Sequence, residues 1–152
     1  MQKKILIGLL IVLIVIQFIK PSKNQSTNIS ENDISKVYSL PPNVHEVLVK
    51  KCYDCHSNNT TYPWYYNIQP VAWWMNNHIV DGKRHLDFSE FKTYSAKKAN
   101  HKLEELSDAV TNAWMPLDSY LWIHKEAKLT TEEAVAINGW ISSLGVQTAK
   151  KE

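Results

Sequence analysis

The chain has 152 residues, with 17 basic and 15 acidic side chains, a formal net charge of +2, six tryptophans and seven tyrosines. A balance this near neutrality excludes the strongly basic surface with which proteins hold nucleic acid, and gives no ground for an anionic membrane surface as partner. The length supports one modest core, and there are no repeats or low-complexity tracts.

The N-terminus reads as an export signal. Met1-Gln2-Lys3-Lys4 is followed by an apolar run from Ile5 to Ile19, interrupted by Gln17 and closed by Lys20-Pro21. Lysines before an apolar run are the positive-inside signature. The run falls short of the ~20 residues that usually span a bilayer. Phe18-Ile19-Lys20-Pro21-Ser22 offers no small-x-small cleavage site and no lipobox cysteine. Residues 1–20 are therefore expected to remain as a signal anchor, tilted little, with flanking lysines snorkelling. The alternative is a cleaved signal and a soluble periplasmic product. Either way the remainder is exported, to the periplasmic face of a bacterial inner membrane if the anchor stays.

Residues 21–39 are polar, with no sustained apolar period, and read as a tether. A single domain is expected over 40–145, followed by a polar tail at 146–152. It begins with a helix opened by Pro42, on which Val44, Val47, Leu48, Cys52 and Cys55 recur at helical spacing. That stripe runs into Cys52-Tyr53-Asp54-Cys55-His56, and Cys-x-x-Cys-His is how c-type haem is attached covalently. Residues three and four apart share a helix face, so Cys52 and Cys55 can reach the two vinyl groups of one porphyrin while His56 ligates the iron. The cofactor expected is one covalent haem c.

Other readings of the motif lack parts. These are the chain's only two cysteines, so zinc would have to recruit distant histidines. A thioredoxin-type pair needs a βαβ context, and both flanks read helical. A disulfide between Cys52 and Cys55 would close a very short loop and stabilise little.

An aromatic loop follows, Thr60 to Asn67, ending at Gln69-Pro70. A second helix from Val71 carries Trp74, Met75 and His78 on one face and is expected to stop at Gly82. Asp87 with Glu90 marks a further helical turn. The third helix places Ala99, Leu103, Leu106, Val110 and Ala113 at intervals of four and three, and Pro116 excludes helix at Met115. The last opens with the capping box Thr130-Thr131-Glu132-Glu133, buries Ile137, Trp140, Ile141 and Leu144, and ends at Gly145. Trp140 is expected at the crossing of the first and last helices of the domain. Strand signals are almost absent, and the fold class is all-α.

This order of parts resembles a class I c-type cytochrome, in which terminal helices cross near the haem and a loop methionine supplies the second axial ligand. More closely, Cys-Tyr-Asp-Cys-His-Ser-Asn at 52–58, Tyr-Pro-Trp-Tyr at 62–65, Gln-Pro-Val-Ala-Trp-Trp at 69–74 and His-Leu-Asp-Phe-Ser-Glu-Phe at 85–91 resemble the small bacterial haem-binding domain proteins. The likeness covers residues 40–145. It implies the haem cofactor more firmly than a role for it.

Met115 is the leading candidate for the distal iron ligand, because a turn rigidified by Pro116 can hold a thioether in place. Most methionines are flexible core fillers, and Met75, within a helix, reads as one. His78 is the competing ligand, and an open site is the third reading. His45 lies on the same predicted helix as His56, so it cannot reach the opposite haem face. His85, His101 and His124 stand among polar neighbours and read as solvated. A backbone carbonyl from the loop of Pro63 or Pro70 is expected to fix the second nitrogen of His56. Trp64, Trp73, Trp74, Trp114 and Tyr120 are candidate flat walls for a porphyrin, although core packing explains any one of them equally. Lys83 and Arg84 are candidates to neutralise propionates.

Two functional classes follow. With His56 and Met115 both bound, the iron has no place for substrate, and the protein is an electron carrier between respiratory partners rather than an enzyme. With an open or labile distal position it is a gas sensor or peroxidase-like protein, for which His78 with Arg84 is the nearest approximation to a distal pair. A third reading is a haem-bearing subunit of a larger membrane complex. All of these need the cytochrome c maturation system.

Overall fold

The computed structural model describes residues 1–146 and 148. Most of the expected polar tail, residue 147 and residues 149–152, lies outside the described residues. Among the described residues all regular elements are helical, and the β pairing is one isolated antiparallel bridge between Gln25 and Asn59.

Three helices build the core: α3 (Pro42–Lys51), α6 (Ala96–Thr111) and α8 (Thr131–Ser143), numbered after an N-terminal α1 (Gln2–Ile16) and a short α2 (Ile34–Val37). The apolar stripes meet in one cluster: Val44, Val47 and Leu48 of α3, Ala99, Leu103, Leu106 and Val110 of α6, and Ile137, Trp140 and Ile141 of α8. Helix α8 starts on the expected capping box, with Thr130 accepting from the Glu133 amide and Glu133 accepting from the Thr130 amide. Glu133 also receives Lys51 Nζ at 2.7 Å, which ties the end of α3 to the start of α8. Trp140 packs edge-on against Tyr38 and donates its indole N–H to the Ser39 carbonyl at 3.1 Å, so it stacks on the residues leading into α3.

Four local departures from the sequence reading shape the site. Helix α3 breaks at Cys52, whose φ of −125° is not helical, and the motif continues as a separate turn, α4 (Tyr53–His56). His45 and His56 therefore lie on different elements. Helix α5 (Val71–His85) does not stop at Gly82 but runs one turn further, ending where Leu86 turns extended. Ala113 falls outside α6: its φ of +55° puts it in the left-handed region, and the Trp114 amide reaches back to the Ala109 carbonyl at 2.9 Å. This is a helix-closing turn that glycine usually makes.

The fourth departure is the stretch 21–39. Asn24 donates to the Ser57 carbonyl at 2.7 Å and to Thr60 Oγ1 at 2.9 Å, and its amide donates to the Tyr62 hydroxyl at 2.8 Å. Ile34, in α2, is fully buried in the core cluster, held by the Asp33 cap. The apolar residues of this stretch, Ile29, Ile34, Val37 and Tyr38, are too few among polar ones to give a sustained period, which is why the packing left little sequence signal. Residues Phe88–Thr93 form a short 3₁₀ segment beneath α4, capped by Asp87, with Phe88 and Phe91 both buried.

Candidate functional site

The Cys-x-x-Cys-His turn rests on aromatic support. The Tyr53 ring stacks on Phe88 at 5.2 Å, and the His56 ring meets the edge of Phe88 at 6.2 Å. The amides of Cys55 and His56 both donate to the Cys52 carbonyl, at 3.2 and 3.0 Å, closing the turn that sets the spacing of the three side chains. Behind it lies α5. A Cβ at Gly82 would stand 2.7 Å from the Cys55 carbonyl oxygen and 3.2 Å from its Cβ, so only glycine lets α5 approach this closely. Gly82→Ala therefore opposes two effects. Helix propensity favours alanine by about 1 kcal/mol, whereas overpacking against backbone costs about 1–3 kcal/mol. Because the contact is with a carbonyl rather than a flexible side chain, the clash dominates. The variant is expected to melt at a lower temperature than the parent and to hold less cofactor; an unchanged or raised melting temperature would contradict this.

Cys52, Cys55 and His56 line one wall of a largely apolar cavity of about 910 Å³. That volume lies toward the upper end of sites for small molecules and cofactors. Trp64, Trp74, Trp114, Tyr120, Met75, His78 and Met115 line the same cavity. The expected walls are thus brought together, except Trp73, whose indole instead donates to the Ile19 carbonyl at 2.9 Å.

His56 Nδ1 is 2.9 Å from the Leu86 carbonyl oxygen. The carbonyl comes from the end of α5, not from the loop of Pro63 or Pro70. With Nδ1 donating there, Nε2 is the nitrogen left to coordinate. Burial pulls the His56 pKa down, opposed by the Leu86 and Gly82 carbonyls, and favours the neutral ring that a metal requires. Burial pushes the Cys52 thiol up to about 12 and the Cys55 thiol up to about 11. Both stay protonated at neutral pH, so neither is a ready thiolate ligand. The two cysteines are free. Among the described residues no group of three or more His, Cys, Asp or Glu is placed to hold a metal ion.

A further part of the cavity lining comes from the segment from Trp114 to His124, which includes the short helix α7 (Asp118–Leu121). Two anchors hold it. One is the closing turn at Ala113. The other is Tyr120, whose hydroxyl donates to Asp54 Oδ2 at 2.8 Å, so a residue inside the motif holds this segment. Met115 lies between the anchors. Tyr120 also stacks on His124 at 4.4 Å, and His124 Nε2 is 2.9 Å from the Tyr65 hydroxyl. The reading of His124 as solvated is corrected: it is half-buried and lines the cavity. His85 is exposed but lines it too, whereas His101 is exposed beside Glu104 and Glu105. His78 Nδ1 is 2.8 Å from the Trp74 carbonyl, leaving Nε2 open.

Lys83 and Arg84 are not in the cavity lining. Lys83 reaches Asn24, Asn58 and Asp87, and Arg84 pairs with Asp81 at 3.0 Å. Their propionate role has no support in this arrangement. Sequence reasoning missed Asp54, Leu86 and His124. Only Asp54 carried a signal, as a polar residue inside the motif.

Fold and site together define a small helical protein in which a Cys-x-x-Cys-His turn faces a large aromatic cavity. The sequence model of the haem-binding domain matches residues 11–143, and the chain belongs to that family. No curated protein and no solved structure matches it. The residues present fit the cofactor: two free thiols and an imidazole that burial keeps neutral, with indole rings and a thioether lining the same cavity.

Proposed function

We propose that the chain is a membrane-tethered, periplasmic mono-haem cytochrome c that carries single electrons between respiratory partners. The observation that carries this reading is the placing of Cys52, Cys55, His56 and Met115 on one apolar cavity, with His56 Nδ1 held by Leu86. Cys52 and Cys55 hold the haem as thioethers, His56 is the proximal iron ligand and Met115 the distal one, with His78 the alternative. The haem supplies a one-electron couple. The protein's part is to fix ligand orientation through Leu86, Phe88 and the Tyr120–Asp54 bond, and to offer flat apolar walls with Trp64, Trp74 and Trp114. Packing of α3 against α8 supports a class I cytochrome c-like arrangement. With His56 and Met115 both bound to its iron, the haem would have no place for substrate, and the protein would be a carrier and not an enzyme.

No helix among the described residues is long and apolar enough to cross a membrane. Helix α1 nevertheless buries none of its residues against the domain, is apolar all round beyond its first turn, which carries Lys3 and Lys4, and is followed by Lys20. A helix of that kind belongs in lipid, which supports an N-terminal anchor.

A potentiometric titration of the full chain, co-expressed with a cytochrome c maturation system, tests the carrier reading. The expected result is one reversible one-electron step with the same midpoint in both directions. Hysteresis, or loss of the couple after one cycle, would favour the sensor or peroxidase-like reading.

A further inference from the structure

Helix α1 is not on a loose leash. Gln17 Oε1 accepts from the Gln69 amide at 2.9 Å, and Gln17 Nε2 donates to the Gln69 carbonyl at 3.2 Å. The Ile19 carbonyl accepts from Gln69 Nε2 and from the Trp73 indole, both at 2.9 Å. Four hydrogen bonds therefore clamp the end of α1 to the start of α5, before the chain reaches Lys20.

Around this clamp the surface is apolar and aromatic. Phe18 is 84% exposed, Ile19 57% and Ile68 44%, and Trp73 shows part of its ring. Lys20 and Lys23 follow directly. Indoles beside lysines are what proteins place at the level of lipid headgroups. Helix α1 has 15 residues, about 22 Å at 1.5 Å per residue, against the ~30 Å of a hydrocarbon core. A short helix clamped rigidly to a domain draws that domain down onto the membrane.

We propose that the face around the clamp, Phe18, Ile19, Ile68 and Trp73 with Lys20 and Lys23, is a lipid-contact surface that seats the domain in the headgroup region of the bilayer. This rests on the anchor reading. It adds that the haem cavity has a fixed orientation to the membrane, because Trp74, the neighbour of Trp73, lines that cavity. Lipid is favoured over a protein partner because the surface is continuous with an apolar helix exposed on every side and bounded by lysines.

The test is nitroxide labelling of the full holoprotein in phosphatidylethanolamine–phosphatidylglycerol vesicles, using single cysteines added to the haem-bound chain. Val12→Cys reports on α1, Ile68→Cys on the proposed face, and Asn100→Cys on exposed α6. Accessibility to oxygen against a water-soluble nickel chelate gives depth. The expected order is Val12 in the hydrocarbon, Ile68 at the interface and Asn100 in water, with Gln17→Ala combined with Gln69→Ala, which removes three of the four clamp bonds, releasing Ile68 into water while Val12 stays. Val12 buried with Ile68 as wet as Asn100 would overturn the seating and leave the anchor standing. Val12 in water would overturn both. Ile68 shielded from oxygen and nickel alike would mean a protein partner and overturn the lipid assignment.

Discussion

Replacing both Cys52 and Cys55 by alanine is expected to abolish covalent haem, and replacing either alone to weaken its retention. The two thiols lie on the same short turn, and the bonds of Cys55 and His56 to the Cys52 carbonyl hold the turn whether or not sulfur is present. The substitutions therefore remove attachment chemistry with little change to the scaffold. Haem staining of a denaturing gel reads this directly, since only a thioether survives denaturation. The single variants should each keep a reduced band, and the double variant none. A double variant that stains like the parent would sink the assignment of Cys52 and Cys55. His56 and the cavity remain in that variant, so residual haem in the native protein, lost on denaturation, is the accompanying expectation.

The second large effect is at Met115. Thioether ligation raises a haem potential, and axial ligands move potentials across a range of about 0.8 V. Met115→Ala should lower the midpoint by an amount on the order of 100 mV and open the iron to exogenous ligands. The segment is held at both ends, by the closing turn at Ala113 and by the Tyr120–Asp54 hydrogen bond, so a truncated side chain leaves a gap rather than a collapsed loop. Titration of the variant beside the parent, with ferric spectra, measures both consequences. An unchanged potential and spectrum would transfer the distal role to His78, which lines the same cavity and has Nε2 free.

The parts legible in the sequence are those encoded by side-chain identity at fixed spacing. The grouping of Cys52, Cys55 and His56 was readable because the three stand within five consecutive residues. The α6 stripe and the Thr130–Glu133 box were readable because helical period and capping are local. The indole walls were readable as a class but not individually. Trp73 and Trp74 are adjacent, and only the rotation of α5 against α4 decides that one faces the cavity and the other the end of α1. The Leu86 carbonyl left no trace, since any residue supplies one. Gly82 was visible but misread: a glycine near a helix end reads as a stop, whereas here it makes room for the Cys55 backbone. His124 was obscured by Lys125 and Glu126, which point the local composition toward solvent although Tyr65 and Tyr120 enclose the ring. Residues 21–39 read as a tether because the bonds of Asn24 and the packing of Ile34 are with partners distant in sequence.

The most direct test of the central claim, a covalent haem whose iron both His56 and the protein's own distal ligand occupy, is the optical spectrum of the full chain produced with a maturation system, ferric and ferrous, before and after carbon monoxide. Covalent haem with a low-spin spectrum that carbon monoxide leaves unmoved is the expected result. Covalent haem that binds carbon monoxide readily would contradict the saturated iron and move the protein to sensing or catalysis, and a colourless chain would contradict the haem site itself.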